Sequence, residues 1–286
     1  MRISSALALS AGLAALVCAT AAVAQDSTSG PAAIAMAASP APAPVVTGVD
    51  AIDAAQALAS ALDGAGGGVT AADQINALSD AADAGDPMAL WQLALMYENG
   101  EGVKQDKQKA FAFYSEIANE HADIAPRGIE ADIVAHSFVK MSDYYSEGVP
   151  EAGIAQDEKQ SFALINYAAT YFGDADAQYR LGKLYLDKQG GSARQSAPWL
   201  YSAAKKGHVA AQATLGDLLF NGRGDLAANP VEGLMWLTLA SRAAINSGDA
   251  QWINDLLNAD ISLATPDQRK QAVILADGAA AQVGTP

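Results

Sequence analysis

The stretch that decides the fold of this 286-residue chain is AQYRLGKLYLDKQGGSARQSAPWLYSAA, residues 177–204. Its first half places apolar residues three and four positions apart, as in Leu181, Leu184 and Tyr185. That spacing forms one buried stripe along an α-helix. Glycines follow, and a second helical stripe runs from Trp199 to Ala204. Because glycine permits a tight reversal of the chain, the stretch predicts an antiparallel pair of helices.

The same pattern occurs four times between residues 85 and 245. Each copy has a small residue in the first helix, a tyrosine or leucine three residues later, and a large residue in the second helix. We expect the small residue to let the two helices approach closely and the large residue to pack in the core. In chain order the small residues are Ala94, Ser142, Gly182 and Gly216, the tyrosine or leucine residues are Tyr97, Tyr145, Tyr185 and Leu219, and the large residues are Phe113, Leu164, Trp199 and Trp236.

Successive tyrosine or leucine positions are 48, 40 and 34 residues apart, and the variation is expected to lie in loops near residues 124–130 and 149–158. One helix pair cannot bury both of its faces, so the pairs should stack on one another. The sequence therefore predicts an all-α superhelical solenoid. It consists of N-terminal capping helices over residues 50–84, four repeats over 85–245 and C-terminal capping helices over 246–286.

The N-terminal 49 residues have a different character from the repeats. One arginine, Arg2, precedes an apolar stretch without charge, and Ala22-Val23-Ala24 matches the small-x-small pattern of a signal-peptidase site. Residues 1–24 are therefore expected to be a signal peptide, cleaved after Ala24, that sends the protein to the periplasm. Cleavage would remove Cys18, the sole cysteine. Residues 25–49 are rich in alanine and proline, which is typical of a flexible tether.

The composition is strongly acidic, with 32 acidic against 17 basic residues and a net charge of −15. Such a charge repels the phosphates of nucleic acids and anionic lipid headgroups, so neither is expected as a partner. Two interpretations of the charge stay open. It serves solubility, or it attracts a basic surface on a protein partner.

No arrangement of residues indicates catalysis, a cofactor or a small-molecule substrate. The three histidines, His121, His136 and His208, are not three or four residues apart, which metal ligands on one helix would require. The glycines at 64–68 follow no predicted strand and precede no P-loop lysine, so they do not predict a nucleotide site. The carboxylates are scattered, and a pair for glycoside hydrolysis remains the enzymatic alternative. The sequence thus favours a protein that is not an enzyme and holds no metal.

The repeats resemble the Sel1-like repeat, a relative of the tetratricopeptide repeat. The order of four segments narrows the resemblance: 112–118 followed by a long insertion, then 144–150, 168–179 and 216–220. In this order they resemble the periplasmic negative regulators of exopolysaccharide production in rhizobia and related alphaproteobacteria, over about residues 70–280. The resemblance implies a protein that binds the periplasmic sensing domain of a membrane histidine kinase and represses its two-component signalling. A general periplasmic protein-binding scaffold in cell-envelope assembly is the alternative.

By analogy with tetratricopeptide proteins, the first helix of each pair should line a concave wall that binds the partner. Several residues of this predicted wall are acidic, which suggests a negative potential, although all of them are also compatible with ordinary solvated helix positions. The predicted partner-binding residues are Trp91, Glu98, Asn99, Asp143, Ser146, Glu147, Lys183, Asp187, Asp217 and Asn221.

Overall fold

A computed structural model describes residues 71–187 and 191–283, and the regular elements of this part of the chain are helices, without a strand. The predicted signal peptide, the tether and the first capping helix lie outside the described residues. Eleven α-helices follow one another within these two ranges. They are α1 (Ala71–Asp83), α2 (Pro87–Asn99), α3 (Lys107–Glu120), α4 (Ile129–Glu147), α5 (Glu158–Tyr167), α6 (Ala175–Asp187), α7 (Ala193–Lys205), α8 (Val209–Asn221), α9 (Pro230–Ala243), α10 (Ala250–Leu263) and α11 (Pro266–Val283).

The four predicted helix pairs are α2–α3, α4–α5, α6–α7 and α8–α9, and each pair is joined by the same backbone hydrogen bond. The residue that precedes the second helix donates its N–H to the carbonyl of the tyrosine or leucine in the first helix. The side chain of this preceding residue also caps the second helix, which satisfies N–H groups that have no partner within the helix. The donors and acceptors are Asp106 to Tyr97 (2.8 Å), Asp157 to Tyr145 (2.8 Å), Ser192 to Tyr185 (3.0 Å) and Asn229 to Leu219 (2.6 Å).

In three of the four pairs the contacts of the small residues show that the two helices approach closely, as predicted. The hydroxyls of Ser142 and Ser161 are 2.8 Å apart, and Ser196 Oγ donates to the carbonyl of Gly182 at 2.8 Å. A Cβ added to Gly216 would lie 2.8 Å from the carbonyl oxygen of Gly233, closer than side chains normally approach. In these three pairs the first helix therefore crosses its mate at a point where neither residue has room for a large side chain.

The large residues of the second helices are only partly in the core. Leu164 and Trp236 are buried as predicted, but Phe113 and Trp199 are half-buried, so the prediction is wrong for these two. In every pair the core is filled by the residue that directly follows the large residue. The turn of the second helix points this next residue toward the first helix of the pair. These core residues are Tyr114, Ile165, Leu200 and Leu237, each at most 2% exposed.

Connections and ends depart from the regular pattern. The two predicted insertions form the α3–α4 connection, residues 121–128, and the α4–α5 connection, residues 148–157, which contains a 3₁₀ turn at Pro150–Ala152. A π-helical turn, Ala168–Phe172, extends α5. At the C-terminal end, α10 and α11 both pack against α9. No helix among the described residues is long and apolar enough to cross a membrane.

The burial pattern predicts that a leucine matters more to stability than the tryptophan beside it. Leu200→Ala removes a fully buried side chain that packs against Gly182 and should lower the free energy of unfolding by about 2–5 kcal/mol. Trp199→Ala removes a half-buried ring and should cost at most about 2 kcal/mol. Urea denaturation followed by circular dichroism measures both. A Trp199→Ala variant that is less stable than Leu200→Ala would contradict this assignment of the core.

Candidate partner-binding surface

The predicted wall is the layer of first helices, α2, α4, α6 and α8, which run in the same direction. A basic residue five positions before the tyrosine of α4 and of α6 reaches back to a carboxylate on the preceding first helix. In α4 it is Lys140, whose Nζ donates to Glu98 Oε2 at 2.8 Å. Glu98 also accepts a hydrogen bond from the buried Tyr114 hydroxyl at 2.8 Å. Glu98 thus holds two repeats together and is not a free carboxylate on the surface.

Arg180 occupies the corresponding position in α6. Its guanidinium pairs with Asp143 of α4 and with Asp176 of α6. Burial acts to lower the pKa of Arg180, but the attraction of Asp176 and Asp143 outweighs burial and raises the pKa above its usual value. Asp143, predicted as a partner-binding residue, is therefore already neutralised by the next repeat.

Of the remaining charged residues of the wall, Lys183, Asp187 and Asp217 also have polar partners. Lys183 Nζ lies 3.5 Å from Asp187 Oδ2 in an exposed pair. Asn221 Nδ2 donates to Asp217 Oδ1 at 2.9 Å and lies 3.5 Å from Oδ1 of Asp260 on α10.

Asp260 is a residue that sequence reasoning missed. It is 3% exposed, and its Oδ2 has no hydrogen-bond partner among the described residues. Burial, together with the nearby charge of Asp217, raises the pKa of Asp260 to about 6. The helical spacing of α10 carried a signal, because Asp260 follows the buried Ile253 by seven residues and so lies on the same face.

Trp91 does not belong to the surface. It is 3% exposed, and its ring lies 5.3 Å from that of Tyr114 and 6.1 Å from that of His136. The reason is its place three residues before Ala94, which puts both on the buried face of α2. A partner cannot contact this ring without unfolding part of the repeat.

The residues that do remain accessible lie at the C-terminal ends of the first helices. Asn99, Glu147, Asp187 and Asn221 are the last residues of α2, α4, α6 and α8, and all are exposed, as is Ser146. The carboxylates of Glu147 and Asp187 are exposed there, so this edge of the solenoid is suited to a basic surface. We call it the C-terminal edge.

At the opposite edge, the α3–α4 connection is fastened by two tyrosines. The Tyr167 hydroxyl donates to the carbonyl of Ala122 at 2.7 Å, and the Tyr171 hydroxyl to that of Ile124 at 3.1 Å. The two rings stack with 5.3 Å between centroids. The insertion is therefore part of the folded surface, next to the π-helical turn that carries Tyr171.

Two of the histidines serve structure. His208 is the N-cap of α8, where Nδ1 accepts from the N–H of Ala211 at 3.1 Å, and its Nε2 lies 3.6 Å from Asp176 Oδ1. His136 donates from Nδ1 to the carbonyl of Asp132 at 2.6 Å, and its Nε2 lies 3.8 Å from Asp174. The described residues contain no cluster of side chains suited to hold a metal ion.

Comparison with known proteins assigns the class first. Residues 87–120, 175–208 and 209–244 match the Sel1 repeat, which makes this chain a Sel1-repeat protein. The second pair, over residues 129–172, falls outside these matches, in keeping with its longer connections. A Sel1 repeat protein from Oxalobacter formigenes has the same fold, with a TM-score of 0.53 and 21% identity over 74% of this chain and 88% of that one.

The particular family follows from two relatives of known role. The exopolysaccharide production negative regulators of Rhizobium meliloti (strain 1021) and Rhizobium leguminosarum bv. viciae are each 31% identical to this chain over 205 residues, which cover 71% of this chain and 74% of theirs. The chain belongs to this family of exopolysaccharide production negative regulators.

The buried Asp260 carboxyl gives a prediction for the pH dependence of stability. The folded-state pKa of Asp260 is raised, so the folded protein binds this proton more tightly than the unfolded chain does, and the contribution of Asp260 to stability declines as pH rises from about 4 to about 6. Asp260→Asn should remove this part of the pH dependence and stabilise the protein at neutral pH. Urea denaturation midpoints across that range measure it. Parallel stability curves for the two proteins would contradict the assignment.

Proposed function

We propose that this protein is a non-enzymatic periplasmic regulator. It binds the sensing domain of a membrane histidine kinase and represses the two-component signalling that controls exopolysaccharide production. The observation that carries the proposal is the 31% identity, over most of both chains, to two negative regulators of exopolysaccharide production. The signal-peptide pattern at residues 1–24 supports the periplasm as the place of action.

The repeat architecture supports a protein as the partner. Sel1 solenoids present an extended wall of side chains, which suits a domain or a peptide better than a small molecule. The carboxylates of Glu98 and Asp143 already form ion pairs between repeats. We therefore propose the C-terminal edge as the place of the interaction, since Glu147 and Asp187 are exposed there.

A basic partner surface at this edge would be recognised through several weak, exposed charges. Each contributes little to affinity, but together they steer the encounter and are screened by salt. Repression follows because a solenoid bound to the sensing domain can favour only the signalling state for which it has higher affinity.

The test is titration calorimetry of the purified protein with the periplasmic domains of the sensor kinases of the same cell, at low and high salt. Glu147→Lys combined with Asp187→Lys should raise the dissociation constant about tenfold, because it reverses two exposed charges at the C-terminal edge. The fold should survive, since the only ion pair it breaks among the described residues is the exposed one between Lys183 and Asp187.

The matched control carries the same change of charge at the opposite ends of the helices. Glu120→Lys combined with Glu130→Lys alters two exposed carboxylates beside the α3–α4 connection and should leave the dissociation constant within about twofold of the parent. If only this control pair weakens binding, the contact lies at the α3–α4 connection. If none of the kinase domains binds, the proposed function is wrong.

A further inference from the structure

The last helix has its apolar residues on the outside. On α11 the residues that face the protein are alanines, with Ala272 at 1% and Ala276 at 0% exposure, whereas Val273, Ile274 and Leu275 are 44%, 59% and 48% exposed. The preceding residue of α10, Leu263, is 73% exposed as well. Three neighbouring large apolar residues on one helix are more than a surface helix needs, since scattered single exposures are the norm.

The position of α11 in the array indicates what its exposed face would contact. α11 packs alongside α9, with Ala272 in a cluster with Leu234 and with Arg242 of α9 paired to Asp277 at 2.8 Å. Leu234 precedes Arg242 on α9, and their respective contacts Ala272 and Asp277 follow in the same order on α11. The two helices α11 and α9 therefore run parallel, as second helices of successive repeats do. The outer face of α11 is thus the face on which one more repeat would stack. A terminal repeat normally closes an array with a polar outer face, and this one does not.

The charged residues on this face of α11 are arranged so that they can pair with the same face of a second copy. Lys270, Ile274 and Asp277 are spaced by four and three residues and so lie in one stripe of α11. If two copies of this helix pack antiparallel about a two-fold axis between Val273 and Ile274, Lys270 of each copy faces Asp277 of the other. Lys270 has no ion pair within the described residues, and the Asp277 side chain is 60% exposed despite its pair with Arg242.

We propose that the outer face of α11 is a homodimer interface, in which a second copy of this chain covers Val273, Ile274 and Leu275. A symmetric interface uses the same patch on both subunits, which the arrangement of Lys270, Ile274 and Asp277 satisfies. α11 is about 27 Å long, and one pair of such helices buries less surface than a permanent dimer requires. The dimer is therefore reversible, with a dissociation constant on the order of 1–100 µM.

Sedimentation equilibrium of the purified protein over a concentration series tests the proposal. The parent should shift from monomer to dimer, and Ile274→Glu should raise the dissociation constant at least about tenfold, because it places two carboxylates at the axis. Ile129→Glu is the matched control, since Ile129 is 51% exposed at the start of α4, far from α11 in the chain. This control should dimerise like the parent.

The charge pairing and the orientation are tested separately. Lys270→Glu should weaken the dimer, and Lys270→Glu combined with Asp277→Lys should restore it. Ile274→Cys should form a disulfide between two chains on oxidation because the residue lies at the axis. Asp267→Cys should not, since an antiparallel pair separates its two copies by about 20 Å.

Several outcomes would overturn the proposal. One is a parent protein that stays monomeric at all concentrations. This would hold also if Ile274→Glu abolished binding to a kinase domain or to lipid vesicles, since the face would then have a different partner. Another is a dimer that Ile274→Glu leaves intact. Equal crosslinking of the Ile274→Cys and Asp267→Cys variants would exclude the antiparallel arrangement.

Discussion

The close approach of two backbones inside each helix pair is the constraint on which the rest of the structure depends. At Gly216 and Gly233 a single added Cβ would meet the partner backbone at less than 3 Å. With the helices this close, Leu237 from the second helix fills the space beside Gly216. Close contacts at the corresponding residues of α4–α5 and α6–α7 indicate the same crossing there, and similar pairs can stack on one another.

Stacking determines which side chains remain for a partner. Because successive first helices lie side by side, Lys140 and Arg180 can reach the carboxylates of the repeat before them. These pairs are about one-third exposed or less, so they act with packing to fix the angle between repeats and do not supply most of the stability. The residues left accessible are those at helix ends, where no neighbouring helix covers them. The binding surface thus follows from the packing of the array.

The sequence predicted the array because its landmarks are local. Tyr97, Tyr145, Tyr185 and Leu219 each stand three residues after a small residue, and in the structure each accepts the same hydrogen bond. The burial of Trp91 was also predictable, since the corresponding residues Val139, Tyr179 and Ala213 are apolar or aromatic; in the structure Val139 and Ala213 are buried and Tyr179 is partly buried. The partners of Asp143 and Glu98 were not, because they are 37 and 42 residues away and depend on how the repeats are rotated relative to one another. The periodicity of apolar residues indicates which face of a helix is buried, but it does not indicate which residues of another repeat lie beside it.

The most direct measurement for this account compares two glycines that both lie inside helices. Gly216 lies at a helix crossing, whereas a Cβ at Gly278 of α11 would meet nothing within 4 Å. Gly216→Ala should lower the free energy of unfolding by about 1–3 kcal/mol because it overpacks the crossing. Gly278→Ala should leave it unchanged or raise it by up to about 1 kcal/mol, as alanine favours the helix. Urea denaturation of both variants gives the answer. Equal stability of the two variants, or a gain for Gly216→Ala, would contradict the claim that close backbone approach holds the array together.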